Sequence, residues 1–154
     1  MTSANTRCWE GVCFVPPEGW SVRAEAPHKL AYASPDFSPA PRSMGPEVPK
    51  TGYLLEIGYS SPTNEQASLT PTAFVDNLVE RLRNMPPAAC EPFEIKKVTL
   101  EGQPFVFEIC GRDTRMFGLY GDRILNIIET YGASATGSAD IFSSFISTAT
   151  FQNK

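Results

Sequence analysis

The chain is poor in the residues that most enzyme classes require. It has a single histidine, His28, in 154 residues, and no Cys-x-x-Cys pair. It contains no G-x-S-x-G elbow, no H-E-x-x-H helix motif, no phosphate loop and no G-x-G-x-x-G turn. Nucleophilic hydrolysis, zinc proteolysis and nucleotide-dependent chemistry in their usual forms are therefore not expected. No apolar run approaches the roughly 20 residues that cross a bilayer, so no membrane span is expected. Positive charge is also scarce: 13 Lys and Arg against 17 Asp and Glu give a net charge of −4. Nucleic acid is not the expected partner, because it calls for a concentrated positive field. The polar start of the chain carries no apolar signal core. That leaves open a cytosolic protein, or an exported one whose export signal or lipid anchor is not in this sequence.

Proline, by contrast, is abundant, with 14 residues. Five of them fall between Ser34 and Pro49, which is read as an exposed Pro-rich loop over about 34–50 with little capacity for a packed strand. The length suits one domain spanning 1–154, large enough to bury a core without metals.

Apolar periodicity then orders the elements. Cys8 to Val15 reads as a short hairpin stopped by Pro16-Pro17. Strands follow from Trp20 and over Lys29–Ser34, and Thr51–Ser60 is a buried central strand. Ser61–Leu69 reads as turn. Thr70 caps a helix opened by Pro71 and ended by Pro86-Pro87, with Phe74, Val75, Leu78, Val79, Leu82 and Met85 as its buried stripe. Three glycine-containing turns then divide Phe93–Tyr131 into a four-strand antiparallel meander. Ser138 caps a second helix with Ile141, Phe142, Phe145 and Ile146 on one face, and Thr148–Phe151 adds a short extended edge. Strand runs set apart from helices predict an α+β domain on an antiparallel sheet.

The four cysteines fit these hairpins. With Glu10-Gly11 as a two-residue turn, Cys8 faces Cys13 at a non-hydrogen-bonded position, where Cα atoms lie about 4.5 Å apart and a disulfide can close. With Glu101-Gly102 as the next turn, Cys110 falls opposite Phe93, three residues from Cys90. Disulfides Cys8–Cys13 and Cys90–Cys110 are the preferred reading and favour an oxidising compartment. Four buried thiols in a cytosolic protein are the alternative. Zinc is not expected, since the Cys spacings are wrong and no histidine is near.

Two weaker signals complete the reading. Glu108 and Glu129 lie in strands whose registers the sequence leaves open; the bland reading puts them on the wet face of a half-exposed sheet, and His28 in an exposed turn. Among the aromatic residues, Trp20, Tyr32 and Phe37, with Met44 in the Pro-rich loop, are the candidate partner surface.

One pattern runs through most of the chain. Phe14-Val15-Pro16-Pro17-Glu18-Gly19-Trp20, the Tyr32-Ala33-Ser34-Pro35-Asp36-Phe37 segment, Leu100-Glu101-Gly102-Gln103 in the meander and a closing Ser144-Phe145 resemble the PsbP/Mog1-like superfamily. The resemblance implies an α/β/α sandwich: a mainly antiparallel sheet of about six to seven strands sandwiched by helices. It also implies binding in place of catalysis, since members are mostly binding or assembly proteins, with no cofactor and no metal. The expected function is a non-catalytic, extracytoplasmic binding or accessory protein acting through a protein partner or ligand. A cytosolic adaptor, chaperone or immunity-type protein of the same fold is the alternative.

Overall fold

The computed structural model describes residues 5–41, 48–132, 143 and 146–152. Strands β1 (Arg7–Trp9) and β2 (Val12–Phe14) form the first hairpin, followed by β3 (Ser21–Ala26) and β4 (Lys29–Ala33). The Pro-rich stretch is not wholly a loop: β5 (Ser38–Pro39) pairs with β6 (Pro49–Thr51) in a short ladder of its own. Strand β7 (Tyr53–Ser60) leads to a four-residue helix α1 (Asn64–Ala67) where turn was expected. Thr63 and Gln66 explain it, each side chain accepting the other's backbone N–H in a capping box. Helix α2 (Pro71–Asn84) starts as the sequence predicts, with the Thr70 side chain accepting from the Ala73 N–H. The meander is β8 (Phe93–Leu100), β9 (Gln103–Cys110), β10 (Asp113–Tyr120) and β11 (Arg123–Tyr131), and β12 (Thr150–Phe151) closes the chain's ordered pairing.

Seven strands make one sheet in the order β3-β4-β7-β11-β10-β9-β8, all antiparallel. Strand alternation gives it two faces. One face carries Leu30, Tyr32, Leu55, Ile57, Phe105, Met116, Leu125 and Ile127. It packs beneath the three-stranded sheet β1-β2-β12, which supplies Trp9, Val12, Phe14 and Phe151. Ile146 and Ala149 join this layer, and residues 146–148 are helical. The rest of the expected C-terminal helix, with Ser138, Ile141, Phe142 and Phe145, lies outside the described residues, as does Met44.

Helix α2 covers only part of the opposite face. Phe74, Val75 and Val79 pack on Val106 and Leu119, with Ile95, Phe117 and Ile124 around them. Met85, expected in that stripe, is 75% exposed, because the chain leaves helical geometry there (φ −136°) before the prolines. The helix therefore sits over β8–β10 and leaves the β4-β7-β11 side of the face to other cover.

Candidate functional site

On this second face, strand registers line up a row of residues directly opposite one another: Ala31, Glu56, Ile128, Arg115, Glu108 and Ile95, on β4, β7, β11, β10, β9 and β8. The neighbouring rows run Lys29, Gly58, Asn126, Phe117 and Ala33, Leu54, Thr130, Asp113. Where α2 does not reach, these rows form the floor of a groove. One part, about 610 Å³, is lined by Val48, Glu56, Ala89, Arg112, Arg115 and Ile128 among others. A second part, about 430 Å³, runs on from Glu56 and Ile128 to His28, Lys29, Gly58 and Asn126.

The banks follow from the sequence. The prolines after α2 turn the chain into a loop that Cys90 ties to the end of β9 through its disulfide with Cys110, with Cα atoms 4.5 Å apart. A hydrogen bond from the Gly111 N–H to the Pro92 carbonyl (2.9 Å) fixes the same loop against the β9–β10 turn. On the other side, Phe37 packs on Ala31, Ala33 and Leu54 beneath the Arg23 guanidinium, which lies 5.3 Å from its ring centre.

Charge in the groove is unevenly partnered. The Lys29 ammonium pairs with the Glu56 carboxylate. Arg115 pairs tightly with Asp113 (2.6 Å) and loosely with Glu108 (3.5 Å). Burial pushes the Glu108 carboxyl above its ordinary value; Arg115 opposes that shift and Asp113 adds to it. At the mouth, Arg112 is exposed, and its guanidinium has no ion pair among the described residues.

The two strand carboxylates do not form a catalytic pair. Glu108 lies in the groove row, whereas Glu129 sits opposite Thr114 and Leu55 and so points to the other face. Neither is on a wet face: Glu108 is 4% exposed and Glu129 fully buried. His28 is exposed, as expected, and its carbonyl accepts from the Tyr59 N–H. Among the described residues, no cluster of three or more His, Cys, Asp or Glu is arranged to hold a metal ion, and no helix is long and apolar enough to cross a membrane.

Three of the four candidate surface residues lie within the described chain, and the structure places them apart from an open patch. Tyr32 is buried in the core, its ring edge-on to Phe14 at 6.0 Å and its hydroxyl accepting from Arg7. Its alternation in β4, which puts it on the covered face, is the reason it leaves the surface. Trp20 is half-buried and stacks on Tyr53, and Phe37 is half-buried as described. The groove leaves no signal in the sequence, because its residues are brought together by register alone, with no local motif. Both proposed disulfides are present: Cys8 and Cys13 face each other as predicted, and Phe93 is opposite Cys110.

No family model matches the chain, and no curated protein does. Its likenesses lie among solved structures. A protein of Bacteroides thetaiotaomicron is similar at TM-score 0.50 and 10% identity over 94% of this chain, which spans 46% of that protein. That likeness bears on the fold alone. A PsbP of the cyanobacterium Synechocystis sp. PCC 6803 is similar at TM-score 0.49 and 11% identity, covering 98% of this chain and 95% of its own. A point variant of the protein Mog1 is similar at TM-score 0.46 and 10% identity, covering 94% and 92%. The α+β fold itself rests on the seven-stranded antiparallel sheet and its order.

Proposed function

We propose that this protein is a non-catalytic binding or accessory protein of an oxidising, extracytoplasmic compartment, and that its partner is a protein seated on the open half of the seven-stranded sheet. The observation that carries this reading is the groove over Glu56, Ile128 and Arg115, bounded by a loop that the Cys90–Cys110 disulfide holds in place. A disulfide spent on fixing a groove's bank, in a chain with no free cysteine, suits a protein that keeps a binding surface in shape outside a reducing cytosol.

The β3 edge of the sheet is a weaker docking place. All six residues of β3 are exposed. That edge is nevertheless blunted by a bulge between Val22 and Ala24, by the Arg7–Glu25 pair and by Arg23 held over Phe37.

The test is position-specific photo-crosslinking in cells that make the protein, with a photoreactive residue replacing Ala89 at the groove or Arg83 on the exposed side of α2. The expected result is a defined adduct from position 89 only, lost when Ile128→Trp fills the groove in a variant that still folds. Equal adducts from both positions, or an adduct that survives Ile128→Trp, would count against the reading.

A further inference from the structure

Among the described residues several cations are consumed in pairs: Arg7 by Glu25, Lys97 by Asp76, Arg123 by Tyr59 and Glu10. Lys50, Arg81, Arg83 and Arg112 have no ion pair there, and of these Arg112 lines the groove. Its carboxylates Glu56 and Asp113 are already matched by Lys29 and Arg115, and Arg112 is left over at its mouth. Lys29, at its far end, keeps an ammonium with side-chain exposure of 46% and further donors to offer. Between these two ends the charges of the floor, Glu56, Asp113 and Arg115, are held in pairs, with Ile128 and Thr130 between them and Gly58 leaving no side chain to block it.

We propose, resting on the reading above, that the groove takes an extended acidic peptide segment of the partner, with carboxylates at its two ends held by Arg112 and Lys29 and small or apolar residues over Ile128. The span fits a peptide. Arg112 follows the end of β9 and Lys29 begins β4; these strands are separated by β10, β11 and β7 in the sheet. At about 4.8 Å per strand spacing across the sheet, and about 3.3 Å per residue for the five-residue offset along the strands between Lys29 and Arg112, the crossing is on the order of 25 Å, the reach of about seven or eight extended residues. A bidentate guanidinium at one end and an ammonium at the other would set both affinity and direction. A net charge of −4 on the whole chain offers an acidic segment no general attraction, so local attraction at the groove becomes the source of specificity.

The experiment is calorimetric titration of the intact, oxidised protein with an acetylated and amidated nine-residue peptide of alternating Glu and Gly, and with its Lys counterpart. Saturable binding of the Glu peptide alone is expected, weakened roughly three- to fivefold by Arg112→Gln and by added salt. Arg83→Gln should leave it unchanged. Amide shifts in the NMR spectrum should fall on 111–115 and 56–58. Binding undiminished in Arg112→Gln, binding of both peptides alike, shifts confined to α2, or no binding of the Glu peptide would each overturn the inference. A groove-specific adduct in the crosslinking experiment together with no Glu-peptide binding would reject the acidic ligand while leaving the docking site standing.

Discussion

Glu108 and Arg115 face each other across β9 and β10 at 3.5 Å, yet the guanidinium makes its close contact, at 2.6 Å, with Asp113 on its own strand. Glu108 is thus a carboxyl withdrawn from water with only a loosely held cation, and desolvation wins over attraction.

Stability should therefore depend on pH through this residue. Its native pKa is raised above the ordinary 4.5, so the native state holds the proton more tightly than the unfolded chain. The folded protein should lose stability relative to a Glu108→Gln variant as pH rises from about 4.5 through the raised native value. Denaturant unfolding of both proteins across that range checks the sign. A difference that is flat with pH would show that Glu108 is not so placed.

A second titration concerns the hairpin that caps the other face. The Tyr59 hydroxyl donates to the Glu10 carbonyl (2.7 Å) and the Tyr120 hydroxyl to the Gly11 carbonyl (3.3 Å), so two tyrosines of the large sheet clamp the turn between Cys8 and Cys13. Burial pushes Tyr59 up to about 12 against the pull of Arg123. Native protein should lose stability as pH climbs from 10.0 towards 12, and Tyr59→Phe should remove that component. At neutral pH the same variant should cost about 1 kcal/mol for the lost hydrogen bond.

The two disulfides should differ in their contribution. Cys90–Cys110 spans 20 residues and Cys8–Cys13 spans 5. Chain entropy alone gives about 3 kcal/mol for the first and about 2 kcal/mol for the second. Paired Cys→Ser variants unfolded in denaturant should rank in that order, and only the 90/110 variant should weaken ligand binding at the groove.

Gly118 lies in the middle of β10, where a Cβ would come within 2.8 Å of both the Phe105 ring and the Pro104 carbonyl. Phe105 is fully buried and the carbonyl belongs to the adjacent strand, so neither can yield freely. Gly118→Ala should destabilise by about 1–3 kcal/mol, measurable as a lowered denaturation midpoint with an unchanged slope.

Much of the architecture could be read from local chemistry. Two-residue turns announced themselves: Glu10-Gly11 and Glu101-Gly102 have positive φ at both positions, as two-residue hairpins prefer, and those turns set the registers that bring the cysteines together. Thr70-Pro71 placed the start of α2 to the residue. What local chemistry did not carry was the cover over each face. Tyr32 looks like any aromatic residue near a loop until alternation and the pairing with Leu55 put it in the core. Glu108 and Glu129 look like surface strand carboxylates, and only the order β7-β11-β10-β9 shows that they are buried on opposite faces. The groove depends on the same long-range order, since its rows draw one residue from each of several strands distant in sequence.

The measurement that bears most directly on an oxidised, extracytoplasmic binding protein is the thiol state of the chain recovered from the cells that make it. Lysis into alkylating agent, followed by intact mass with and without reduction, reads it in one step. The expected result is no label before reduction, four labels after it, and digestion products linking Cys8 to Cys13 and Cys90 to Cys110. Four labels without reductant would contradict it and point to a protein of the reducing cytosol.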